Sequence, residues 1–154
     1  MAEKYFKREE AEELLPVIEY HLEQARAQSA EVERLSEELS RAGARVTVLG
    51  GSVPPLGKLA GTKAQREHLL ERLKQTVAHI QDTGCILKDL ETGLIDFPSF
   101  LNGQEVYLCW KLGEEHIEWW HGIHEGFAGR KRLGEGLRLN CLLRKRLRKG
   151  RLRV

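Results

Sequence analysis

The stretch VYLCWKLGEEHIEWWHGIHEGFAGRKRL, residues 106 to 133, gathers all three tryptophans, three of the six histidines and several glutamates set between glycines. Imidazole and carboxylate groups together can bind a divalent metal or exchange protons, so the first question is which backbone would bring them together. On a helix, Glu118 and His121 would form the ExxH pair of carboxylate-bridged di-iron bundles. That chemistry needs a second such pair and two further glutamates, and Glu19 and His21 have the wrong spacing to supply it. The HExxH order of zinc proteases is absent, since Ile117 follows His116. Gly122, Gly126 and Gly129 also disfavour a helix here. On strands a different set converges: His121 on the last strand, Glu114 in the turn before it, Asp96 on a second strand, and Arg130 after the glycine-rich EGFAGR. His121, Glu114 and Asp96 could hold a divalent metal, while Arg130 and amides freed by the glycines could hold an anion. The same residues fit a core in which Trp110, Trp119 and His121 pack a sheet against helices and a carboxylate fixes His121 by a hydrogen bond. The spacing is diagnostic of no known site, and it favours this core over the metal.

Other candidates carry less. GGSVPPLGKLAGT has glycines and a lysine without the GxxxxGK[ST] order of a phosphate loop, so it reads as a linker. Asp89, Glu91 and Asp96 in KDLETGLID match a calcium loop in composition only and read as turn formers. Cys109 has no nucleophile's partner nearby in sequence and reads as a buried cysteine. His116 and His124 read as exposed polar residues.

The elements that must position these groups follow from hydrophobic period. Leu15, Ile18, Leu22, Ala25, Ser29, Val32, Ser36 and Leu39 recur at steps of three and four, which predicts a helix over about 8–41 with a coiled-coil-like seam, bent near Glu12 by Pro16. Residues 42 to 62, with five glycines and two prolines, predict a long irregular connection. A second seam at Arg66, Leu70, Leu73, Val77 and Ile80 predicts a helix capped by Thr62 and ended by Gly84, pairing antiparallel with part of the first. The period then changes to two, and CILKDL, LIDFPSF, EVYLCWKL and HIEWWHGI predict four strands joined by short hairpins. The opening KYF could add an edge strand. The fold class expected is α+β, a long antiparallel helical hairpin over about 8–84 followed by a small antiparallel β-meander over about 85–124, in a single domain spanning 1–133.

KYFKREEAEELLP, GCILKDLETGLIDFPSF and EVYLCWKLGEEHIEWWHGIHEGFAGRKRL together resemble the bacterial domain of unknown function (DUF) 2203 family over roughly residues 4 to 133. The resemblance implies a cytosolic bacterial protein with a helical hairpin and a small sheet, and it implies no activity. The family usually carries a small hydroxyl residue where this chain has Lys7, so a conventional N-cap on the first helix is not expected.

Charge divides the chain. Residues 128–154 carry eleven Lys or Arg against one Glu, and the first 127 carry fourteen against twenty-two. The 134–154 tail, with Leu139, Leu142, Leu143 and Leu147 among basic residues, reads as a basic amphipathic segment. It could meet the acidic body or bind an anionic partner without sequence specificity. The charged N-terminus lacks a signal peptide's apolar stretch, and no apolar run is long enough to span a bilayer, so a cytoplasmic protein is expected. Three cysteines, odd in number and far apart, indicate no disulfide framework. An apolar seam longer than the second helix can cover predicts a homo-oligomer. The function these features favour is a small binding or assembly module. The alternative is a metal-dependent enzyme, or a metal- or anion-binding protein, using the residues around His121 and possessing a divalent metal as cofactor.

Overall fold

The computed structural model describes residues 4–49 and 56–134. Two long helices are followed by a five-stranded antiparallel sheet, an α+β arrangement: α1 (Arg8–Leu49), α2 (Leu56–Asp82), β1 (Ile86–Asp89), β2 (Leu94–Leu101), β3 (Gln104–Lys111), β4 (Trp119–Gly122) and β5 (Lys131–Arg132), with strand order β1-β2-β3-β4-β5. The described residues form two compact units, residues 20–79 and residues 4–19 with 80–134.

The first unit is the helical hairpin. Leu22 and Ala25 of the predicted seam are buried, the seam's buried position further along α1 is Leu35 rather than the half-buried Val32, Ser36 or Leu39, and Arg66 Nε of α2 donates to Ser36 Oγ of α1 at 2.7 Å. Both helices are longer than their sequence predicts. Helix α1 runs on to Leu49 because the segment from Ala42 holds a single glycine, Gly43, and otherwise has no breaker. Thr62 is no cap: it lies inside α2, its hydroxyl turned back onto the carbonyl of Lys58 at 3.1 Å. The densest glycine and proline signals fall on 50–55, so the remainder of the expected irregular connection lies outside the described residues.

The second unit is the sheet with the first turns of α1. Lys7 precedes α1 and has no side-chain acceptor, but Glu10 three residues on accepts from the Lys7 amide at 3.0 Å, which is half of a capping box. Gly84 follows α2 at φ 95°, as a helix-ending glycine should. The KYF segment is no strand. The Phe6 amide donates to the Pro98 carbonyl at 2.8 Å, but proline has no N–H to return the bond, and the Ser99 hydroxyl takes the Phe6 carbonyl instead at 2.7 Å. A ladder therefore cannot propagate. Phe6 and Phe97 meet edge to face with centroids 5.4 Å apart, and Ile18, Ile95, Leu108, Trp110 and Ile117 are among the large apolar side chains buried with them.

The fourth strand begins at Trp119 rather than His116, and β5 is an additional strand on its outer side. Side chains explain the shortening, since Glu12 on α1 accepts from the Ile117 amide at 3.0 Å and Glu114 accepts from the Lys111 amide at 2.9 Å. These bonds satisfy backbone groups that a longer ladder would otherwise have used. Beside this same end of β3, in the turn between β1 and β2, Gly93 sits at φ 67°, and a Cβ there would lie 2.5 Å from Leu112 Cβ, so the β1–β2 turn requires glycine.

Candidate metal centre

Strand register decides which polar groups meet. In the β2–β3 pair Asp96 lies opposite Cys109, and in the β3–β4 pair Tyr107 lies opposite His121. Directly paired residues share a sheet face, and residues two apart on a strand share it too, so Asp96, Cys109 and His121 come together on one face across three strands. All three are buried, at 1%, 0% and 1% exposure. Their ligand atoms, a carboxylate oxygen, the Cys109 Sγ and an imidazole nitrogen, lie within 4.8 Å of one another.

The hydrogen bonds of His121 fix how it presents itself. Its Nδ1 is 2.9 Å from the Gly122 carbonyl, which can only accept, so the ring hydrogen is placed on Nδ1. Nε2 then faces Asp96 Oδ1 at 3.2 Å. A neutral imidazole would turn a lone pair on a carboxylate, so a proton or a metal cation must lie between the two atoms. A carbonyl behind one ring nitrogen is the usual means of aiming the other at a metal. Arms of roughly 2.0–2.1 Å at a tetrahedral angle would set nitrogen and oxygen about 3.3 Å apart, close to the spacing present.

Asp96 has capacity to spare. Its Oδ2 is buried and accepts no hydrogen bond, and the nearest cation, Lys88 Nζ, is 3.7 Å away, within ion-pair range but too long for a hydrogen bond. Lys88 is 44% exposed in its side chain and also lies over the Tyr107 ring, which packs against His121 with centroids 5.5 Å apart. Cys109 is held as a thiol: burial first, and then the negative charge of Asp96, push its pKa up to about 12.

Glu114 and Arg130, the other two residues marked by the sequence, meet each other. Arg130 donates to Glu114 Oε2 at 2.8 Å and to the Cys109 carbonyl at 3.2 Å, and its guanidinium lies over the Trp119 and Phe127 rings. This clasp ties the segment after β4 to the β3–β4 connection. The glycine-rich turn also has its own anion: Glu125 accepts from the Gly122 amide at 2.9 Å and from Lys131, and these bonds lower its pKa. The structure thus brings Asp96 and His121 together and places Glu114 with Arg130. Cys109 and Lys88 are the members of the cluster that sequence reasoning missed. Alternation on β3 puts Cys109 on the Tyr107 face, but only register shows that Asp96 and His121 share it.

A family model for an uncharacterized conserved protein matches residues 4–133. The chain belongs to the DUF2203 family. No curated protein and no solved structure matches it. Among the described residues of this DUF2203 chain, no helix is long and apolar enough to cross a membrane.

Proposed function

We propose that the protein is a small metal-binding module whose ion is a thiophilic divalent cation of the zinc type, held by Asp96, Cys109 and His121. The observation that carries this reading is the meeting of three different donors within 4.8 Å, with His121 Nε2 aimed at Asp96. The buried, unpaired Asp96 Oδ2 supports it. A mixed nitrogen, oxygen and sulfur set suits zinc or cobalt over magnesium or calcium, which prefer oxygen alone. Carboxylate and thiolate together would neutralise a doubly charged ion held there, and Lys88, 3.7 Å from Asp96 Oδ2, would yield its place to it. Free, buried Cys85 and Cys109 suit a reducing cytosol, where the thiol stays available.

Cobalt(II) titration of metal-free protein tests the reading. A stoichiometric ion should bind with a thiolate-to-cobalt absorption band and release the Cys109 proton, so affinity should rise with pH. Cys109→Ser should lose the band and keep the fold. A folded wild type that binds neither cobalt nor zinc would leave His121 and Asp96 as a structural pair and defeat the proposal.

A second reading concerns assembly. Val17 and Tyr20 lie three residues apart on α1 and are 50% and 57% exposed, an apolar step on a helix surface that supports self-association through the helices. A homodimer is the simplest closed form. Sedimentation at tens of micromolar, roughly the range of a weak interface, should show it, and a monomer there removes this reading.

A further inference from the structure

We propose that the basic C-terminal segment, residues 135–154, docks in an acidic groove of its own chain. The groove, about 640 Å³, lies within the sheet unit between the first turns of α1 and the β3–β4 connection. Leu15, Pro16 and Trp110 give it an apolar side. Apart from Glu115, which lies 3.8 Å from His116 Nε2, its acidic groups divide into two kinds. Glu12 and Glu114 are committed, the first to the Ile117 amide and Arg8, the second to Arg130 and the Lys111 amide. Glu9, Glu13 and Glu19 are exposed along the same wall and make no ion pair with a described residue. Glu9 and Glu13 stand one helical turn apart as like charges, a mutual repulsion that a cationic occupant would relieve.

The occupant follows from the chain path and from charge. Strand β5 runs antiparallel to β4, with Trp120 opposite Lys131 and Trp119 opposite Arg132, and the Leu133 amide donates to the Glu118 carbonyl at 2.8 Å. Each step forward along this segment is a step back along its partner, so the described chain ends at Gly134 heading toward Ile117, with His116 and Glu115 next along that partner. His116 and Glu115 line the groove. The chain that continues from there carries eight Lys or Arg against one Glu. Its leucines, Leu139, Leu142, Leu143 and Leu147, match the apolar side as its cations match the acidic one. Tethering at the rim gives the segment an effective concentration that a free cationic peptide lacks.

Zero-length carbodiimide coupling of the full-length protein, mapped by mass spectrometry on a mixture of isotopically light and heavy chains, tests the docking. Lys145 and Lys149 should couple to Glu9, Glu13, Glu19 or Glu115 within single chains, and less as salt is added. The triple variant Glu9→Gln, Glu13→Gln, Glu19→Gln alters exposed residues alone. It should reduce coupling to the unaltered Glu115 and bind heparin more tightly than wild type, because the tail is released. Coupling spread evenly over exposed acids such as Glu23, Glu33 and Glu37 overturns the proposal, as does equal heparin affinity of wild type and variant. Coupling only between light and heavy chains also overturns it, assigning the groove to the tail of a second copy.

Discussion

The hairpin unit and the sheet unit are held by different kinds of contact. In the hairpin, the ion pairs Arg34–Glu31, Arg34–Glu38, Arg41–Glu37 and Lys74–Glu71 all join residues three or four apart on one helix. Cohesion between its helices falls to the seam. In the sheet unit, polar side chains reach far along the sequence: Glu12 to Ile117, Ser99 to Phe6, His121 to Asp96 and Tyr5 to Glu105. A repeating apolar seam needs only the right period, whereas a buried polar cluster needs particular partners at particular distances. The sheet unit is therefore the part where single changes alter chemistry as well as stability.

The largest effect expected is that of His121→Ala in the metal-free protein. It removes the partner of a carboxylate that is 1% exposed, and should cost about 3–5 kcal/mol in denaturant unfolding. A loss below about 1 kcal/mol would show that Lys88 alone compensates Asp96, and the contrast between the units would weaken. In the hairpin, Leu35→Ala deletes a seam side chain of 2% exposure and should cost about 2–4 kcal/mol. It should leave cobalt binding unchanged, which sharpens the separation between the units.

A pH series isolates Cys109. Its folded pKa, about 12, lies above the ordinary 9.0, so the folded state holds this proton more tightly than the unfolded chain does. The stability it contributes is complete below 9.0 and is lost as pH rises toward 12. Unfolding measured across that window should show a decline in wild type that Cys109→Ala reduces. The smallest effect belongs to Arg41→Ala, which breaks an exposed pair with Glu37 on α1 and should change stability by less than about 0.5 kcal/mol.

How much of this was legible in the sequence follows the same division. The seam from Leu15 to Leu39 and the alternation on β3 are periodic, and both elements formed where the period placed them. Helix ends were less legible, because the composition of 42–62 blurred a short cluster of breakers into a long one. The start of β4 was hidden for another reason. HIEWWHGI alternates like a strand, but Glu12, more than a hundred residues away, takes the Ile117 amide, and no local pattern announces such a bond. Asp96 and His121 were visible as candidates by residue type. Cys109 became their neighbour only through register, which depends on hairpin geometry at Asn102 and Gly103, both at positive φ, and at the β3–β4 connection.

Lys88 carries a consequence of its own. An ammonium on a flexible stem beside Asp96 supplies positive charge to the carboxylate, and on the metal-binding proposal it would be a tethered stand-in for the ion. A pocket furnished this way need not collapse when vacated or be rebuilt when filled, unlike zinc fingers, in which binding the ion and folding are a single event. If the proposed ion binds, loading and unloading would be an exchange between two cations over a common scaffold, with one surface side chain moving in and out of register with Asp96.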